Sequence, residues 1–245
     1  MKIALQLWSV RDACDEDFIG TLRRLKDMGY DGVEFAGYRG VDAPVLKAAM
    51  DEIGLVSAGS HIGFDRLAPD QLAATLDYEA VLGNKRIIIP YMNFEDVAGW
   101  RHFFTQLNAL APQIRQRGMQ LMYHNHANEV CFHGDTDILA EMLAAVPDVS
   151  LEVDVGLLTS GGGDLKAWLA AHAARISQFH IKDMKPDLSV STNLGTGVIP
   201  LADCVAFAKQ HEIEWLVIEH DVAEPTQMAD AAANQRYLAT LVDKL

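Results

Sequence analysis

GMQLMYHNHANE, residues Gly118–Glu129, sets the pattern for the whole chain. A glycine opens it, an apolar run follows, and polar side chains crowd the far end of that run. The glycine suits the left-handed position that closes a preceding helix. Met119–His124 is short and apolar, which reads as a strand. Working outward, the same unit recurs along the chain. Strand candidates Lys2–Trp8, Gly32–Ala36, Leu55–His61 and Arg86–Pro90 come before it; Ser150–Asp154, Ile176–Ile181 and Trp215–Glu219 come after. Amphipathic stretches separate these eight runs, and Thr226–Leu245 follows the last. In the first stretch, Asp17–Met28, residues Phe18, Leu22, Leu25 and Met28 fall on one helical face. Gly29, Gly54 and Gly83-Asn84 mark further helix ends. Strands alternating with helices from end to end predict a parallel sheet covered by helices. An open doubly wound sheet has fewer strands and a glycine fingerprint after the first, whereas strand 1 here ends in Trp8-Ser9-Val10-Arg11. The expectation is an α/β chain forming a single (β/α)8 TIM barrel over residues 1–245.

Composition narrows the partners. Among 245 residues, 34 acidic and 20 basic side chains give a net charge of −14, which repels phosphate backbones and anionic lipid. Nucleic acid and membranes are therefore not expected. No apolar run reaches the length of a membrane span, and the N-terminus reads as a first strand rather than a signal peptide. Cys14, Cys131 and Cys204 are too far apart for a metal-binding pair, and their odd number speaks against a disulfide framework. A cytoplasmic location is the expectation.

In such a barrel the chemistry sits at the carboxyl ends of the strands. Those ends carry Gln6 and Trp8, Glu34, His61, Pro90-Tyr91-Met92-Asn93, the run His124–Glu129, Asp154, His180 to Asp183, and Glu219 to Asp221. One acidic residue at a strand end is ordinarily solvated or salt-bridged. Four consecutive strands delivering carboxylates and imidazole to one rim are different. Glu129, Asp154 and Glu219 crowded together cannot all stay ionised without compensation. A divalent cation held by three carboxylates and one neutral imidazole resolves the conflict, with Mn²⁺, Co²⁺, Mg²⁺ and Zn²⁺ all suited to such donors.

YHNHANE (Tyr123–Glu129), LEVDVG (Leu151–Gly156), FHIKDM (Phe179–Met184) and VIEHD (Val217–Asp221) resemble the xylose-isomerase-like superfamily of sugar isomerases and epimerases. QLWSVRD (Gln6–Asp12) and GYDGVEFAGY (Gly29–Tyr38) are similar to it too, so the resemblance runs through the chain in order. It implies Glu129, Asp154, His180 and Glu219 as metal ligands, with Glu129 and Glu219 also the catalytic acid and base. One glutamate would remove a proton beside a keto group, and an enediolate would follow. Trp8, His61, Asn125, His126 and Lys182 are the implied substrate contacts. The implied function is a metal-dependent isomerase or epimerase of a keto sugar. The alternatives are a lyase or dehydratase on a keto-sugar, keto-glycoside or keto-inositol, and a non-catalytic sugar-binding barrel. A homo-oligomer stays open.

Some residues depart from the family pattern. Glu129 lies five residues past His124, so His124 or His126 is an alternative ligand and Cys131 a remoter one. An apolar stretch, Val155-Gly156-Leu157-Leu158, follows Asp154 where the ketose epimerases tend to carry a polar substrate contact. The superfamily's DNA-repair nucleases need extra histidines where this chain has Pro90 to Asn93 and Leu157, which excludes a trinuclear zinc site. Asp164 reads as a helix cap after a glycine loop. Met184–Pro200 reads either as a lid or as an ordinary surface loop.

Overall fold

The computed structural model describes residues 1–131, 136–223 and 225–244, without the side chain of Cys131. Eight parallel strands close on themselves: β1 (Lys2–Gln6), β2 (Gly32–Phe35), β3 (Val56–His61), β4 (Arg86–Ile89), β5 (Gln120–His124), β6 (Val149–Asp154), β7 (Ile176–Ile181) and, after a two-stranded insertion, β10 (Trp215–Ile218). The order around the barrel is β1-β10-β7-β6-β5-β4-β3-β2, so β1 closes the ring against β10. All eight expected strands are present, each within two residues of its expected ends. Strand 1 stops early because Gln6 turns the chain into a short 3-10 helix, its side chain accepting from the Trp8 amide at 3.1 Å.

Alternation decides which side chains enter the barrel. Leu5, Val33, Phe35, Ile87, Ile89, Leu121, Tyr123, Leu151, Val153, Phe179, Ile181, Leu216 and Ile218 belong to the large buried cluster shared with the helices. The helices join it through apolar faces, such as Phe18, Leu22 and Leu25 of α2 (Phe18–Asp27), whose first turn is capped by Asp17. Asp164 caps α9 (Leu165–His172) in the same way, as the sequence implies. A separate small cluster, Ala4, Ala58, Trp215 and Val217, comes from alternate positions of β1, β3 and β10. Trp215 fills so much of that space that a Cβ on Gly32 would lie 2.8 Å from its ring. Above this plug the pattern turns polar. Gln6 pairs in register with Glu34, His124 with Glu152, Glu152 with Gln178, and Asp154 with His180.

The segment expected as a lid or loop contains a two-stranded antiparallel ladder, β8 (Asp183–Met184) with β9 (Ser191–Thr192). Two-residue strands carry too little periodicity to be read from sequence. Among the described residues, no helix is long and apolar enough to cross a membrane.

Candidate metal centre

Asp154 ends β6 and caps the helix that follows, α8 (Val155–Ser160). Its Oδ1 accepts from the Leu157 amide at 2.7 Å. Its Oδ2 is buried without a hydrogen-bond partner. Asn125 fixes the backbone there, donating to the Asp154 carbonyl and accepting from its amide at 3.0 Å. Asn125 is fully buried, has both ends of its amide engaged on the Asp154 backbone and does not line the cavity described below.

Four residues, His124, Asp154, His180 and Glu219, each offer a ligand atom within 4.8 Å of the others, and all four are buried. Glu129 is not among them. It lies in α6 (Asn128–Cys131), where Oε1 accepts from the Tyr123 hydroxyl at 2.6 Å and Oε2 from the His126 amide at 2.8 Å. Burial pushes its carboxyl up to about 7. The structure thus gives the expected position of Glu129 to His124, which ends its own strand. His124 is held well below the usual imidazole range, chiefly by burial and then by His180, which favours the neutral form, the one an imidazole needs in order to ligate a cation.

Lys182 supplies the positive charge. Its ammonium lies 2.8 Å from Glu219 Oε2, 3.1 Å from Asp154 Oδ2 and 3.0 Å from Asp221 Oδ2. Burial alone would lower this lysine, but the three carboxylates override it and hold it well above its ordinary range. Lys182 and His180 likewise keep Glu219 well below the carboxylate range despite its burial. The residues therefore fit a cation. One ammonium faces three carboxylates, and the buried Asp154 Oδ2 still has no hydrogen bond.

Above these groups lies a cavity of ≈ 610 Å³. Lys182, Glu219, Asp221 and three histidines, His61, His124 and His126, form its polar wall, while Trp8, Pro90, Tyr91 and Leu157 form an apolar one. Trp8 is half exposed, with the Arg11 guanidinium 4.9 Å from its ring. His126 packs edge-on against Tyr91 and is pushed down to about 4 by burial. Trp8, His61, His126 and Lys182 therefore all line the cavity.

The loop that follows β7 is fixed by Asp183, next in the chain after Lys182. Its Oδ1 accepts from the amides of Met184 at 2.9 Å and Ile199 at 3.0 Å, and its Oδ2 from those of Gly195 and Gly197, each at 2.9 Å. Gly197 passes so close to the Met184 carbonyl and the Asp183 carboxylate that no side chain fits there.

A second polar group lies deeper in the barrel. Glu34, Glu152 and Gln178 are wholly buried beside His180 and His61. In the sequence Glu34 falls at a strand end with no assigned role, and Glu152 and Gln178 are masked inside strand runs by apolar neighbours such as Leu151 and Phe179. Counting back by two from Asp154 and His180, the spacing that keeps side chains on one face of a strand, finds both.

Residues 22–241 match the xylose isomerase-like TIM barrel family. The chain belongs to that family. It is 24% identical to an inosose dehydratase of Geobacillus kaustophilus over 91% of this chain and 87% of that one. Among solved structures, a sugar phosphate isomerase/epimerase from Parabacteroides distasonis superposes with a TM-score of 0.84 at 21% identity, covering 98% of this chain and 95% of that one. A probable 3-DHS dehydratase from Bacillus anthracis does so at 0.74 and 11% identity, covering 98% and 99%. Isomerases, epimerases and dehydratases thus share the family's barrel.

Proposed function

We propose that this protein is a divalent-metal-dependent isomerase or epimerase of a keto sugar or sugar derivative, acting by proton transfer next to the carbonyl. The observation that carries this reading is the buried set His124, Asp154, His180 and Glu219, with one Asp154 oxygen met by the Lys182 ammonium but by no hydrogen bond, beneath a cavity large enough for a sugar ring. These four residues would hold the ion. When bound, the ion supplies Lewis acidity that makes the C–H beside a carbonyl easier to ionise.

The chain's own groups do the rest. Glu219, kept ionised by Lys182 and His180, accepts the proton. In isomerisation it returns that proton to the adjacent carbonyl carbon, while the hydroxyl proton on the first carbon passes to the carbonyl oxygen. Lys182 keeps its ammonium beside that carboxylate and balances the charge that develops on the substrate oxygen. Trp8 and Tyr91 offer flat apolar surface to a sugar ring.

A second reading, elimination by a dehydratase or lyase, draws on the position of Glu129. Its bonds to Tyr123 and His126 hold it away from the ligand set, which leaves a single glutamate there. Elimination needs one base and a proton donor for the leaving group, and Lys182 provides the donor. The named activity of the 24%-identical inosose dehydratase supports the same reading.

Incubation of the Mn²⁺-loaded protein with keto sugars, keto-glycosides and keto-inositols in D₂O tests both. Solvent deuterium entering a product of unchanged composition supports isomerisation or epimerisation, whereas release of water or an aglycone supports elimination. Glu219→Gln should slow either by on the order of 10³. Undiminished turnover in that variant would remove Glu219 from its role.

A further inference from the structure

Two carboxylates beneath the ligand set are surrounded by N–H groups. Glu34 Oε1 faces His180 Nε2 at 2.7 Å, His61 Nε2 at 3.0 Å and the Gln6 amide at 2.6 Å, while its Oε2 faces the Gln178 amide at 2.6 Å. Glu152 mirrors it. Its Oε2 faces His61 Nε2 at 2.8 Å and His180 Nε2 at 3.0 Å, and its Oε1 faces the same Gln178 amide at 2.6 Å. An ionised carboxylate only accepts, so both imidazoles must carry hydrogen on Nε2. The two rings stack nearly parallel, 5.3 Å apart at 16°, because they share one pair of acceptors. The nitrogen left to His180 is Nδ1, which lies 3.3 Å from Glu219 Oε2 on the ligand side.

The strands are adapted to this pair. The ladder between β2 and β3 shifts register between Val33 and Glu34, and that between β6 and β7 between Leu151 and Glu152. Such irregularities re-aim the side chain beside them. Gly59 leaves room for the first carboxylate, since a Cβ there would lie 3.1 Å from Glu34 Oε2.

We infer that Glu34 and Glu152 are positioning residues for the cation site: together they hold the Nε2–H of His180 and of His61, so that His180 presents Nδ1 to the ion. The inference rests on the cation site proposed above. It assigns the two glutamates no contact with substrate. Their work is to fix one ring's orientation and the site of its proton, as partners behind a metal-bound histidine do.

The test is calorimetric titration of metal-stripped protein with Zn²⁺ and Mn²⁺, wild type against Glu34→Gln and Glu152→Gln. In either variant an NH₂ group replaces an oxygen that receives only N–H donors. Affinity should fall by about 10- to 100-fold while thermal melting stays cooperative. Unchanged affinity in both folded variants would overturn the inference. Should the variants not fold, wild-type protein with ¹⁵N-labelled histidine decides the matter by long-range ¹H–¹⁵N correlation. Hydrogen on Nε2 of His61 and His180 with and without Zn²⁺, and, of these two rings, a zinc-induced shift at His180 Nδ1 alone, is the expected result. An Nε2 of His180 that lacks hydrogen, or one that takes the zinc shift, overturns it. If the wild type binds no Zn²⁺, the functional reading falls, whereas Nε2–H on both rings of the metal-free protein still upholds the clamp.

Discussion

The two ends of this barrel handle charge in opposite ways. Where the strands begin, Glu214 pairs with Lys2 at 2.9 Å and with Arg86 at 2.8 Å, and the Lys2 and Glu214 side chains are about half exposed. Where the strands end, Asp154, His180, Glu219 and Lys182 are buried, and Glu34 and Glu152 lie wholly buried beneath them. Exposed pairs are worth little, and water compensates either partner if the other is lost. Buried charges lose solvation that their mutual attraction restores only with good geometry, and an apolar set of similar volume often serves stability as well or better. The first arrangement suits a structural rim. The second is a concentration of charge that stability alone does not require.

Three substitutions bear on this contrast, in falling order of effect. Lys182→Met leaves Asp154 and Glu219 buried without their ammonium. Thermal denaturation in EDTA should show a loss of about 3–5 kcal/mol, with Mn²⁺ restoring part of it. A variant as stable as wild type would erase the distinction between the two ends.

The next concerns pH. The Glu129 carboxyl is raised from 4.5 to about 7 in the folded protein. Its stabilising contribution is then complete below about 4.5 and is lost as pH rises through about 7, a difference of about 3 kcal/mol. Gln mimics the protonated side chain, so Glu129→Gln should flatten stability against pH across that window. An unaltered slope in urea titrations between those limits would separate Glu129 from the effect. The smallest change is expected at the opposite end. Glu214→Gln should cost less than about 1 kcal/mol, and less still in high salt. A larger loss in denaturant melts would mean that the rim pairs carry the barrel.

What the sequence discloses follows the same geometry. Asp154 and His180 sit on strands whose direction is fixed by the sheet, so period-two reasoning puts them on the face where the structure brings them together. His124 ends its strand and faces the site for the same reason. Glu129 lies five residues beyond, where the direction of a side chain depends on how a loop turns. There the chain makes a single helical turn that aims the carboxylate back at Tyr123. Asn125 shows a related limit, since polarity beside a site does not reveal whether a side chain faces substrate or backbone. Glu152 is hidden by its neighbours, one charge between Leu151 and Val153 in a run that otherwise reads as apolar strand. The two-residue strands β8 and β9 leave no pattern at all.

The carboxylate of Asp183 has a consequence for motion. Four amides spread over sixteen residues, those of Met184, Gly195, Gly197 and Ile199, converge on one side chain. Hydrogen bonds that share an acceptor cannot fray one at a time without leaving that acceptor partly unsatisfied, so the segment opens as a cooperative unit with a single protection factor. Because Asp183 follows Lys182 directly, an opening large enough to expose those amides also loosens the strand end that carries the ammonium. The loop after β7 is thereby tied to the strand end behind the Lys182 ammonium and does not move independently of it.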